Sequence, residues 1–429
     1  MRFIIAIVIF SAIILIHEFG HFLLAKKNKI VVTEFSLGMG PRLVSTVKGG
    51  TRYSIKFLPI GGSCAMLGED EEENAPGTFN SAPVWGRISV VAAGPIFNFI
   101  LAYILALIIV ACLGYAPAMV MDVTEGSGAQ EAGLKAGDVI TEFNGYDIDV
   151  GKDLYVYTYL NELSENESIN LSYERDGEEY SISYQPEVDA RYLLGFNRSG
   201  TDSLEVESLI EGMPLEAAGV QPGDVLTSIN GVKFSDGAEY EEYITEHPLT
   251  DEPVKITYTR NGKEYEATIT PKEYKTVTTG FSYNVSGCIK ADGFEIFPRA
   301  ALEVKYLIRT TVLSIKELFT GGLGVQDLSG PVGVVDAIGD TYEQTKSEGS
   351  MIMWMNLLNL AVLLSANLGV MNLIPFPALD GGRLIFLFVE AIRRKPVNRQ
   401  LEGMIHFAGL MLLMVLMVVV MYNDVLKIF

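Results

Sequence analysis

Cysteine and histidine are both scarce in this chain, and each scarcity narrows the chemistry open to it. The three cysteines, Cys64, Cys112 and Cys288, stand far apart with no paired spacing. They supply neither a disulfide framework nor a cysteine-pair metal site, so free, buried thiols are expected. There are four histidines in all, and any histidine-based site must be drawn from that short supply. Basic residues are lacking over the whole middle of the chain: Ala116 to Pro298 holds 35 acidic against 12 basic residues. Phosphate binding needs clustered Lys and Arg, which excludes nucleic acid as a partner.

What is abundant is apolar sequence. Hydrophobic residues make up 49% of the 429, although the formal net charge is -21. Outside the acidic middle the chain carries 18 acidic and 20 basic residues, so a water-exposed centre separates two nearly neutral, apolar ends. Four stretches are long enough to cross a hydrocarbon core of about 30 Å: Phe3 to Ala25, Ile88 to Leu113, Met351 to Ile374 and Met404 to Met421. The first is too long for a signal peptide and is followed by Lys26, Lys27 and Lys29, which favours a retained anchor. Basic residues cluster after span one (Lys26 to Arg87) and between spans three and four (Arg383 to Arg399). By the positive-inside rule those segments are cytoplasmic, with both termini and the acidic middle outside. The acidic run Glu69 to Glu73 lies in the first of them but weighs little in that rule.

The middle repeats itself. Glu125-Gly126 through Ala132-Gly133-Leu134-Lys135-Ala136-Gly137-Asp138-Val139-Ile140 to Asn144-Gly145 returns as Glu211-Gly212 through Ala218-Gly219-Val220-Gln221-Pro222-Gly223-Asp224-Val225-Leu226 to Asn230-Gly231. Tyr173-Glu174-Arg175-Asp176-Gly177 likewise returns as Tyr258-Thr259-Arg260-Asn261-Gly262. A near-constant offset means two copies of one small domain, with Asn-Gly and Asp-Gly closing hairpins at positive φ. The pattern resembles bacterial PDZ domains, which implies a groove where a peptide adds as an extra strand. A pair of rigid spacers is the alternative.

His17-Glu18-Phe19-Gly20-His21 fits H-E-x-x-H. Positions i and i+4 share a helix face, so both imidazoles can reach one metal ion, with Glu18 placed as the base. Such polar groups inside a span are expensive in lipid and are rarely idle. A catalytic zinc usually takes three protein ligands. His247 lies in the outer region and His406 begins the last span without a suitable acidic neighbour. Asp380 is the better third ligand, in Asn372-Leu373-Ile374-Pro375-Phe376-Pro377-Ala378-Leu379-Asp380-Gly381-Gly382-Arg383. There, prolines and glycines break the helix and bare backbone groups. A helix cap at the membrane boundary would also explain Asp380.

Three ordered motifs carry a family resemblance: His17 to His21, Gly94-Pro95-Ile96-Phe97-Asn98-Phe99, and Asn372 to Gly382, joined by Leu328-Ser329-Gly330-Pro331-Val332-Gly333. Together they resemble the site-2 protease family, in its bacterial branch with PDZ domains that acts in regulated intramembrane proteolysis. The resemblance implies that His17, His21 and Asp380 ligate one Zn2+, that Glu18 is the catalytic base, and that Asn372 with Pro375 holds substrate. It further implies that Val31 to Leu37 and Arg52 to Leu58 form a β-hairpin dipping toward the metal. The expected architecture is a polytopic α-helical membrane protein with four transmembrane helices, a cytoplasmic-side β-hairpin and two extracytoplasmic PDZ domains. Its parts are a catalytic membrane half at 1–115, PDZ domains at 116–190 and 191–280, a linker with an amphipathic membrane-surface helix at 281–350, and a second catalytic membrane half at 351–429. The expected partners are the plasma-membrane bilayer, single-pass membrane proteins such as anti-sigma factors or remnant signal peptides, and a site-1 protease acting first. A non-catalytic PDZ scaffold and a zinc carrier are the rival functions, separable by metal analysis and a cleavage assay.

Overall fold

A run of 26 residues with one glycine and no proline forms α1 (Arg2–Lys27), about 39 Å long at ~1.5 Å per residue. Lys26 and Lys27 lie in its last turn, where cations suit the helix dipole. The Asn28 side chain donates to the Leu24 carbonyl and helps end the helix. The computed structural model describes residues 2–69, 75–322, 324 and 328–428, so of the acidic run only Glu69 falls among them. Two units emerge, one of 1–118, 149–156 and 285–429, the other of 119–148 and 157–284.

In the first unit, β1 (Val32–Lys48) and β2 (Thr51–Met66) form one ribbon folded back on itself. Glu34 to Leu37 pair with Ala65 to Gly62 on one side and with Arg52 to Ile55 on the other, while Val44 to Lys48 pair with Ile55 to Thr51. The expected hairpin strands therefore lie side by side, as the middle of a four-stranded sheet. Glycine permits the fold-back: Gly38, Gly40 and Gly61 all have φ near +90°, where a side chain is strained. Then α2 (Val84–Leu113) runs 30 residues with Pro95 inside. Cys64 is buried as expected, and burial pushes its thiol up to about 12, which keeps it protonated. Cys112 and Cys288 are instead exposed; spacing excludes a framework but carries no information on how deep a lone thiol lies.

The second unit holds two sheets of the same design. After β3 (Val120–Val123) and α3 (Gly128–Glu131), the first contains β4 (Val139–Phe143), β5 (Tyr146–Asp147), β6 (Ile169–Arg175) and β7 (Glu178–Tyr184) in the order β5-β4-β6-β7, with α4 (Gly151–Leu160) between β5 and β6 in the chain. The chain then runs through β8 (Glu187–Leu193), β9 (Phe196–Arg198), β10 (Val206–Leu209) and α5 (Pro214–Ala217). The second sheet follows with β11 (Val225–Ile229), β12 (Val232–Lys233), β13 (Val254–Arg260) and β14 (Lys263–Ile269) in the order β12-β11-β13-β14, and α6 (Gly237–Glu246) between β12 and β13. All four expected turns have positive φ at both positions: Asn144-Gly145, Asp176-Gly177, Asn230-Gly231 and Asn261-Gly262. In each copy an arginine clamps the buried Gly-Asp turn. Arg175 Nε and Nη2 donate to Asp138 at 2.6 Å, and Arg260 makes the same pair with Asp224 at 2.7 Å.

The copies are nested rather than consecutive. β15 (Lys272–Thr278) pairs with β8 from Lys272↔Leu193 to Thr278↔Glu187, and β16 (Phe281–Tyr283) pairs with β3 at the start of the first copy. β9 pairs with β10 in the matching place of the second copy. The boundary expected at 190/191 thus falls inside β8, and the strand that closes the first copy lies beyond the second. A repeat offset fixes the period of a duplication, not its phase, so the boundary could not be read from it.

The first unit resumes with α7 (Ile296–Thr320), α8 (Pro331–Thr345), α9 (Ser350–Leu373), α10 (Asp380–Arg393) and α11 (Arg399–Ile428). α7 is amphipathic as expected and packs Ala300 and Val304 against Ala102, Ala106 and Val110 of α2 and against Val362 and Ala366 of α9. Two of its cations have acidic partners, Lys305 on Asp149 at 2.7 Å and Arg309 on Asp153. α1, α2, α9 and α11 are long and apolar enough to cross a membrane. α10 is tied to α2 by a bidentate pair, with Arg87 donating to Glu390 at 3.0 and 2.6 Å.

Candidate active site

Close approach of α1 and α2 is built from two glycines. A Cβ on Gly20 would lie 2.5 Å from the Ala93 carbonyl oxygen, and one on Gly94 would lie 2.7 Å from His17 Cε1 and collide with His21 Nε2. The α2 backbone therefore presses directly on both imidazoles. Pro95 cannot donate to the carbonyl four residues back and loosens the turn before it. In that turn the Val90 carbonyl accepts from His21 Nδ1 at 2.8 Å. An acceptor there puts the His21 hydrogen on Nδ1 and leaves its Nε2 lone pair free to ligate.

The third group arrives from the other end of the chain. After α9, Ile374 to Leu379 forms a tight turn, and Asp380 opens α10. Gly381 and Gly382 are required: a Cβ on either would strike the carbonyls of Leu373, Ile374 or Phe376. Ala378 takes φ +79°, a left-handed conformation that costs a non-glycine residue about 1–3 kcal/mol. The result brings His17 Nε2 and His21 Nε2 to 3.2 and 3.4 Å from Asp380 Oδ2, with 3.1 Å between the two nitrogens. Among the described residues this is the group of histidine, cysteine and carboxylate side chains placed to hold a metal ion.

The donor set suits zinc. Asp380 Oδ2 is buried without a hydrogen-bond donor. Two imidazole nitrogens and a carboxylate oxygen aimed at one point repel each other unless a cation lies among them. Tetrahedral zinc with bonds of about 2.0–2.1 Å has ligand–ligand edges of about 3.3 Å, and the observed separations straddle that value. Glu18 lies next along α1, between the two histidines in sequence. A Cβ on Gly62 would lie 3.1 Å from Glu18 Cγ, so the outermost strand of the folded ribbon, residues 62–66, runs past the base.

Of the residues singled out in the sequence, His17, Glu18, His21 and Asp380 come together. Asn372 is half-buried in the last turn of α9, and Pro375 is exposed in the turn after it. His247 ends α6 in the second unit. Two residues have roles that the sequence does not assign them. Asn98, fully buried, has its amide 3.1 Å from His17 Nδ1. His406, on α11, accepts the Ala378 N–H at 2.9 Å. An Asn inside an apolar span signals the first; nothing local signals the second.

Comparison with known proteins agrees with this geometry. The family described as peptidase family M50 matches residues 5–416. The zinc metalloprotease RasP of Geobacillus kaustophilus is 33% identical over 452 residues, covering 99% of this chain and 97% of that one. The regulator of sigma-W protease RasP of Bacillus subtilis is 31% identical over 459 residues, covering 99% and 98%. Among solved structures, the HtrA3 PDZ domain bound to a phage-derived ligand matches 21% of this chain and 93% of its own, at 18% identity and a TM-score of 0.18, too slight a likeness to assign either repeat. Since the family match runs through both membrane halves and both groups of site residues, the chain belongs to peptidase family M50, the site-2 proteases, and is a membrane metalloendopeptidase.

Proposed function

We propose that His17, His21 and Asp380 hold one zinc ion and that Glu18 serves as acid and base in hydrolysing a peptide bond of a transmembrane substrate. The observation that carries this is the convergence of His17 Nε2, His21 Nε2 and Asp380 Oδ2, all within 3.4 Å, from helices at opposite ends of the chain. Zinc held there supplies Lewis acidity, polarising a carbonyl and lowering the pKa of water to about 7. Glu18 takes a proton from the attacking water at its carboxylate and returns it to the leaving amine. The strand at Gly62 packs against the Glu18 side chain and limits where its carboxylate can turn. Val90 fixes the His21 tautomer.

A transmembrane helix hides its peptide bonds in its own hydrogen bonds and must be unwound first. The strand of residues 62–66 beside Glu18 pairs on one side with residues 34–37, and its other edge suits a substrate added as a further strand. Asn372 and Pro375, on the segment leading to Asp380, would hold that substrate. With four spans, the 1–115 and 351–429 segments would form the catalytic membrane halves, and the basic flanks would put the active site toward the cytoplasm and the nested repeats outside. The repeats, read as two PDZ domains, would admit single-pass proteins already shortened by an earlier cut. The Bacillus relative is named for regulating sigma-W, which fits an anti-sigma factor as one such substrate.

Glu18→Gln tests the mechanism. Cleavage of a single-span substrate should fall on the order of 10²–10⁴-fold, with zinc still bound at one per chain by metal analysis. Unchanged cleavage would remove Glu18 from the chemistry.

A further inference from the structure

The loop that delivers Asp380 is held by a helix that contributes no ligand. His406 and Gly409 lie three residues apart on α11, hence on one face, and both meet the Pro377–Ala378 peptide. His406 Nδ1 accepts the Ala378 N–H at 2.9 Å. A Cβ on Gly409 would lie 2.5 Å from Pro377 Cβ and 2.6 Å from its carbonyl oxygen, so only glycine lets the turn seat there. The His406 ring also rests against Phe386 of α10, with centroids 5.5 Å apart. What this socket grips is the strained point of the turn, Ala378 at φ +79°. Two residues on, the Asp380 side chain must meet two histidines carried by α1.

We infer that His406 is a positioning residue for the metal site: by taking the Ala378 N–H it holds the turn left-handed and thereby sets the Asp380 carboxylate against His17 and His21. The inference rests on the zinc reading proposed above. A left-handed alanine returns to ordinary backbone once its partner is lost, and that rotation swings Asp380 away from the imidazoles. Glycine at 378 would adopt the same φ without strain and so should need the socket less. The role is sterically specific, because the hydrogen-bond acceptor must sit at the δ position. Asparagine, whose Oδ1 branches from Cγ as Nδ1 does, can replace it; phenylalanine fills the space with no acceptor.

The test is zinc affinity of the full-length protein in detergent micelles, by competition with a chromophoric chelator, together with the visible spectrum of the Co2+-substituted protein. His406→Phe should weaken zinc binding by roughly 10–100-fold, the range for residues that orient metal ligands, and should shift the Co2+ bands. His406→Asn should keep both near wild type, and Ala378→Gly combined with His406→Phe should regain most of the lost affinity. Should His406→Phe fail to fold, His406→Asn and the double variant decide between the outcomes. Wild-type affinity and spectrum in His406→Phe would overturn the inference, as would a folded His406→Asn that binds no better than His406→Phe. Asp380→Asn separates the two levels: if it retains zinc, the site assignment fails; if it loses zinc while His406→Phe does not, only the role of His406 fails.

Discussion

At the scale of single residues, the chemistry was legible and its supports were not. H-E-x-x-H carries its geometry in its spacing, and Asp380 stands where helix breakers bare the backbone, so four site residues could be named from sequence. Gly20, Gly94 and Asn98 act through contacts between helices; an Asn in an apolar span marks a polar need there, but no local pattern names the histidine it serves. Asn98 shows what the contact does. As placed, its Nδ2 faces His17 Nδ1 while its Oδ1 is buried without a partner. Turning the amide about Cβ–Cγ lets Oδ1 accept Nδ1–H, which satisfies both atoms and leaves the His17 Nε2 lone pair for metal. Asn98→Leu should therefore weaken zinc binding roughly 10–100-fold, while Asn98→Asp, which keeps the acceptor, should weaken it less; chelator competition checks both. Gly94→Ala is harsher, because the added methyl meets both ligand rings. Overpacking of this kind costs about 1–3 kcal/mol, and the thermal midpoint of the zinc-loaded protein should fall accordingly.

At the scale of elements, charges counted as flanks of membrane spans prove to be ties between elements of the fold. Arg87 and Arg383 belong to the basic excess that marks a cytoplasmic side, yet Arg87 is buried on Glu390 and Arg383 bonds Glu69. Composition can count a charge but cannot say which helix will answer it. Removing one partner of a buried pair leaves the other uncompensated, at about 3–5 kcal/mol. Glu390→Gln should thus lower the unfolding midpoint in detergent markedly, and Arg87→Met with Glu390→Leu should lower it less. The repeats carry a parallel tie with a pH signature. The Arg260 guanidinium beside Asp224 holds that carboxyl below the usual range. A depressed carboxylate contributes its full stability above its unfolded pKa of about 3.9 and loses it as pH falls through the folded value. Pepsin should therefore begin to cut the second copy as pH drops below about 4, and Asp224→Asn should be cut at higher pH and show a flatter dependence.

At the scale of the whole molecule, duplication was plain in the sequence while nesting was not, and nesting decides how the repeats can be tested. Excising 120–270 would leave β16 without β3 and strand the ladder half of β15. The register offers a cleaner cut. Leu193 and Lys272 are partners at the end of the β8–β15 ladder, so residues 194–271 can be removed and the ends joined by Asn-Gly, the two-residue turn that suits a right-twisted antiparallel pair. The first copy keeps β16 on β3, and the membrane helices keep their connections. If the second copy contributes to a size filter, this variant should cleave a short single-span substrate at the wild-type rate. It should also accept substrates with an intact outer domain, which the full chain should reject; the readout is the cleaved fraction against outer-domain length. An unchanged length cutoff would assign the filter to the first copy or to the membrane domain, because no other part of the second copy would remain to act.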